Sequence, residues 1–182
     1  MKKRCQRVVG LVISIFAAGL MMGNVCAAGG KKDMKGWESD SPYNQNYDVK
    51  EYEKFRAWVV GFKEEPPMAG MSEATIMIVK DGEDLIDVHL CPTWFAKPED
   101  VGVKKGDRVK IKGVWAEIDE KDVFMASKVK KGDFFEFKVR LTKNGKPFWT
   151  MSEEELAWER LPDEEKKARM AKGEGPPKTK SQ

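Results

Sequence analysis

The sequence predicts an all-β core, a five-stranded OB-fold barrel, followed by a C-terminal β-hairpin and a short helical extension. Three observations carry this expectation. Five runs with strand character fall between residues 54 and 129. The connection between the third and fourth runs is long while the others are short, which is the OB-fold order. A two-sheet sandwich would need more strands than the sequence supplies.

The elements follow in chain order. Residues 1–28 carry no acidic side chain, and Lys2, Lys3, Arg4 and Arg7 precede the apolar run VVGLVISIFAAGLMMGNV. This is the layout of an export signal over 1–27, with small residues at Ala27 and Ala28 where a signal peptidase cuts. Two alternatives stand beside it: an uncleaved anchor, since 8–30 is uncharged and long enough to span a bilayer, and lipidation at Cys26. The signal reading implies a periplasmic or secreted chain with no mature transmembrane segment. It also changes the charge. Four of the 33 Lys and Arg residues lie in the signal, leaving 29 against 30 acids, or −1. Nothing global then favours nucleic acid. Cys5 and Cys26 leave with the signal, so Cys91 has no intramolecular disulfide partner.

Residues 28–52 are polar and aperiodic and read as a flexible linker, carrying Trp37, Tyr43 and Tyr47 as residues able to dock. KFRAWVVGF (54–62) and EATIMIVK (73–80) are aromatic- and branched-rich strands. Asp81-Gly82 turns the chain into DLIDVHL (84–90), a hairpin. Pro92 stops that strand, and the connector TWFAKPEDVGVKKGD leads to RVKIKGVWAEI (108–118). There Val109 and Ile111 point inward while Lys110 and Lys112 point outward. VFMASKV (123–129) completes the barrel, giving a domain over 53–132. FFEFKVRL, the Asn144-Gly145 turn and a return through Pro147-Phe148-Trp149 predict a hairpin over 133–150. A capping box, Ser152 with Glu155, opens a helical extension over 152–172, and 173–182 reads as a disordered tail.

The "DG" turn at 81–82, the Trp-containing connector, Gly106-Asp107 with Val109, Ile111 and Gly113, and a last strand running into KVKK carry a resemblance. Over residues 54–132 the chain resembles the exported bacterial OB-fold family linked to stress tolerance. The resemblance implies the fold and export, and little about a ligand.

Candidate chemistry concentrates in VHLCPTW (88–94). On an unbroken strand Asp87, His89 and Cys91 share the outer face, opposite Ile86, Val88 and Leu90. Next-but-one residues are too far apart for a Cys–His hydrogen bond, and three residues along one strand do not converge as a triad. A soft ion bridging His89 and Cys91 is easier, and copper or zinc would suit them with Met68 and Met71 from the loop PPMAGM completing the set. The bland alternative is a packed strand end with an inert cysteine. Trp94 and Trp115 are the candidate members of an aromatic groove for a small ligand, against core packing as the simpler account. No spacing suggests paired catalytic carboxylates, so an enzyme is not expected. Lys110 and Lys112 alone, followed by Glu117 and Asp119, read as a solvated face, and nucleic acid is disfavoured. The sequence therefore predicts an exported, non-catalytic binding or accessory module. Its partner would be an envelope protein or small ligand, and no cofactor is expected unless copper or zinc is held.

Overall fold

The computed structural model describes residues 34–177. The expected signal segment, with Ala27 and Ala28, lies outside the described residues, as do the last five residues of the expected tail.

The fold class is the predicted one. Strands β1 (Tyr52–Glu65), β2 (Ala74–Asp81), β3 (Asp84–Pro92), β4 (Arg108–Ile118), β5 (Lys121–Lys131) and β6 (Phe135–Lys138) run in the order β3-β2-β1-β4-β5-β6. A parallel contact of Val88 and His89 in β3 with Phe124 and Met125 in β5 closes the ring. That closure is the feature that separates an OB barrel from an open meander. The long first strand serves both sides. Its residues up to Trp58 pair with β4, and from Trp58 onward it pairs with β2, the register slipping between Val59 and Gly61.

Alternation builds the core. Ala57, Val59, Val79, Val88, Val109, Ile111, Phe124 and Val129 are buried and line it. Gly113 lies in β4 where β5 comes closest: a Cβ there would collide with the Met125 carbonyl oxygen and lie 2.8 Å from Phe124. The β4–β5 register slips at that point, between Lys112 and Gly113.

Two segments differ from expectation. The stretch expected as flexible linker is, from residue 34 on, folded onto the barrel. It holds a short helix α1 (Pro42–Gln45), capped by Ser41, and buries Trp37, Tyr43, Asn44 and Tyr47. Three large aromatics in 11 residues supply the apolar area that such a segment needs to order. Trp37 donates from its indole to the Ser72 carbonyl, and its own carbonyl accepts from Trp149. The buried Arg140 guanidinium lies over the rings of Tyr43, Tyr47 and Trp149 and donates to Asn44 Oδ1 at 2.8 Å.

The expected hairpin over 133–150 forms only in part. Phe135–Lys138 joins the sheet by pairing with β5, but the return is a single bridge, Arg140 to Pro147. Phe148–Thr150 is a 3-10 turn instead of a strand, because Phe148 and Trp149 are drawn into buried positions. Beyond it α2 (Glu153–Arg160) starts at the capping box of Ser152 and Glu155, and α3 (Asp163–Ala171) follows. Among the described residues no helix is long and apolar enough to cross a membrane.

Candidate functional site

The VHLCPTW stretch departs from the alternation expected of it. Ile76 faces His89 and the next residue on β2, Thr75, faces Cys91, so Leu90 is an extra residue in β3. Neighbours on a strand point to opposite faces. His89 therefore sides with Ile76 and Cys91 with Thr75, on opposite faces of the sheet, which corrects the expectation of a shared outer face. Their partners agree. Thr75 Oγ1 and Cys91 Sγ both donate to the Ala96 carbonyl, at 2.7 and 3.6 Å. His89 Nδ1 lies 3.2 Å from the Tyr43 hydroxyl.

Both groups are buried, and burial sets their chemistry. Loss of hydration pushes the His89 imidazolium down to about 4 and the Cys91 thiol up to about 12. Around His89, Asp87 and Glu65 act against the burial while Lys63 and Arg140 reinforce it. The neutral ring shares a hydrogen bond with the Tyr43 hydroxyl at Nδ1, the tautomer setting which of the two donates. With its thiol held this far up, Cys91 carries almost no thiolate for a substrate at neutral pH. Met71 packs against Gly36, while Met68 shares a cleft wall with His89 and Asp87. Of the four residues considered as metal ligands, only His89 and Met68 are brought to one cleft. Among the described residues no three His, Cys, Asp or Glu side chains group as a metal site.

That cleft lies where the 66–70 loop and the 118–121 turn meet over β3, the position at which OB barrels take ligands. Its charge is internally compensated: Lys63 bonds Asp87 at 2.7 Å and Glu65 at 2.8 Å. Trp94 and Trp115 do not form a groove together. Trp115 stacks on Phe55 and meets Phe124 edge-on, and its indole donates to Glu53. Trp94 packs on the core from the connector.

The charge is segregated elsewhere. Across the ladders Lys54 faces Lys112, Arg56 faces Lys110, Lys110 faces Lys130, Lys112 faces Lys128, and Lys128 faces Lys138. Directly opposed residues project from the same side of a sheet. With Arg108, set two residues before Lys110, these form one cationic face across β1, β4, β5 and β6. Glu136 is the carboxylate within it, bonding Lys128, Lys130 and Lys138 at 3.2, 2.5 and 3.1 Å. Lys54, Arg56, Lys110 and Lys112 have no carboxylate within ion-pair distance among the described residues. Lost hydration, then repulsion from Lys138, Lys112 and Lys130, takes Lys128 down to about 8. Lys110 is lowered in the same way, with Lys112, Lys54, Arg56 and Lys130 as its repelling neighbours.

Reading each strand alone misses this face. The signal was a basic residue at every outward position of K-F-R (54–56), R-V-K-I-K (108–112) and K-V-K (128–130). Only the register puts the three runs side by side. Like charges directly opposed destabilise a sheet, and an ordinary solvated surface mixes signs, as the Lys63, Glu65 and Asp87 group does.

No curated protein matches the chain. The resemblance over 54–132 pointed to a stress-tolerance family, but the family that matches almost the same stretch is another: residues 51–135 match the model of the MamS/MamX magnetosome protein family.

Proposed function

We propose that the chain is an exported, non-catalytic binding module that engages an anionic partner through the cationic face of β1, β4, β5 and β6, as an accessory protein of the bacterial envelope. The observation that carries the reading is the set of five directly opposed like-charge pairs. They cost folding free energy in the isolated protein, and an anionic partner offsets that cost. The stretch matching the magnetosome protein family contains every cation of the face except Lys138, so the same reading suggests the magnetosome as its setting.

Binding of the 32–182 unit, which contains the whole described core, to soluble polyglutamate tests the reading. Binding that weakens steeply with salt and is lost in Lys110→Glu/Lys112→Glu supports it. Binding that survives this double reversal, or no binding, removes it.

A further inference from the structure

We infer that the anionic partner of this face is a lipid bilayer surface, met by the Lys and Arg side chains at the headgroups and entered by Trp58 and Phe134 at one end of the face. The inference rests on the anion-binding reading and adds the kind of anion.

Two exposed rings carry it. Trp58 is 53% exposed and Phe134 is fully exposed, in a chain that buries Trp37, Trp149 and Trp158. Trp58 faces Arg108 across the β1–β4 ladder, with the guanidinium 5.7 Å from the centre of its ring. The 132–134 turn, which bears Phe134, borders the same shallow depression. That depression is lined by Arg56, Arg108, Lys110 and Lys130, with Gly132 and Asp133 at its rim. Trp58 therefore lies beside Arg108 on the β1 side, and Phe134 leaves the same end of the sheet on the β5–β6 side, two residues before Glu136.

The arrangement discriminates among anions. A soluble polyanion such as polyglutamate would be met by the cations alone, and the two rings would stay in water beside it. A single-stranded nucleic acid wants aromatics interleaved with the basic residues, so that successive bases stack. Here the rings are gathered at one end. A bilayer interface accommodates both features: lipid phosphates attract the Lys and Arg side chains, and Trp and Phe settle at headgroup depth. Two carboxylates stand near this end: Asp133 lines the depression among the cations, and Asp107 is paired to Lys131 at 2.7 Å.

The test uses the 32–182 unit, free of the apolar N-terminal run, in co-sedimentation with phosphatidylcholine vesicles with and without phosphatidylglycerol. Soluble polyglutamate and oligothymidylate serve as the competing anions. The expected result is partitioning onto the phosphatidylglycerol vesicles only. Lys110→Ala/Lys112→Ala should lower it roughly 30-fold. Trp58→Ala/Phe134→Ala should lower it at least about tenfold on vesicles while leaving polyglutamate binding unchanged. Equal partitioning onto neutral vesicles overturns the inference, as does an aromatic double variant that sediments like wild type. Tighter binding to oligothymidylate than to vesicles overturns it in favour of nucleic acid. Binding to polyglutamate without binding to vesicles overturns the lipid assignment and leaves the anionic-partner reading standing. Loss of both removes both.

Discussion

His89 is the one histidine of the chain, so the pH dependence of stability between about pH 5 and pH 7 can be assigned to a single residue. Its imidazolium is pushed from an ordinary 6.5 down to about 4 by burial. The folded pKa is depressed, so between these values the unfolded chain binds a proton that the folded chain refuses. Stability is then fully present above about 6.5 and falls as the pH drops toward 4. One pKa unit corresponds to about 1.4 kcal/mol, so the limiting loss is roughly 3 kcal/mol. Partial titration of the unfolded state makes it about 2 kcal/mol at pH 5. Urea unfolding near pH 7.5, 6 and 5 measures this directly. His89→Gln keeps a hydrogen-bond partner for the Tyr43 hydroxyl but cannot titrate, and should flatten the profile to within about 0.5 kcal/mol over the same range. A wild type without the acid decline, or a variant that keeps it in full, would refute the account of a buried neutral imidazole.

Three further outcomes follow from the same geometry. Gly113→Ala forces a methyl group against the Met125 carbonyl and the Ala126 backbone, which cannot give way as a flexible side chain can. It should cost about 1–3 kcal/mol, read as a lower urea midpoint, and an unchanged midpoint would show that the strands part more easily than this. Cys91, buried and with its thiol pushed up to about 12, should resist a thiol reagent such as DTNB in the native state near pH 8 and react on unfolding. Rapid native labelling would contradict that burial. Lys112→Ser removes one member of two opposed like-charge pairs, with Lys54 and Lys128. It should raise stability by a few tenths of a kcal/mol while weakening anion binding, so a destabilised variant would mean that the face is not under repulsion.

What could be read from the sequence was whatever depends on one strand at a time. Alternation in 108–112, the Asp81-Gly82 turn and the capping box at Ser152 are local, and each appears where expected. Features set by pairing were not legible. The extra residue at Leu90 leaves no mark in DLIDVHLCP, because Val88, Leu90 and Cys91 are all suited to burial, yet it turns Cys91 away from His89. The N-terminal segment looked like linker because its polar residues outnumber its rings. The segment finds its partners far along the chain: Trp37 meets Trp149 at a separation of 112, and Asn44 is held by Arg140 at a separation of 96. No window of sequence contains both ends of such a contact.

The cationic face belongs to the same class of hidden feature, and the protein supplies its own control. The two sides of β1 carry similar residue types, yet they are arranged in opposite ways. Toward β2 and β3, Lys63 sits between Glu65 and Asp87 and is neutralised by both. Toward β4 and β5, Lys54 and Arg56 meet Lys112 and Lys110, which in turn meet Lys128 and Lys130. Residues 28–182 hold 30 acids and 29 bases, so mixed signs were available for both surfaces. Random placement of those charges would put some carboxylates opposite lysines throughout. Instead the carboxylate in this ladder, Glu136, stands at its β6 margin, and lost hydration followed by repulsion lowers both Lys110 and Lys128. A surface under no demand except solubility gains nothing from opposed like charges that it would not gain from mixed ones. An anionic surface laid across them turns the same repulsion into binding free energy, which is why this face, rather than the compensated cleft beside His89, is the place to look for the partner.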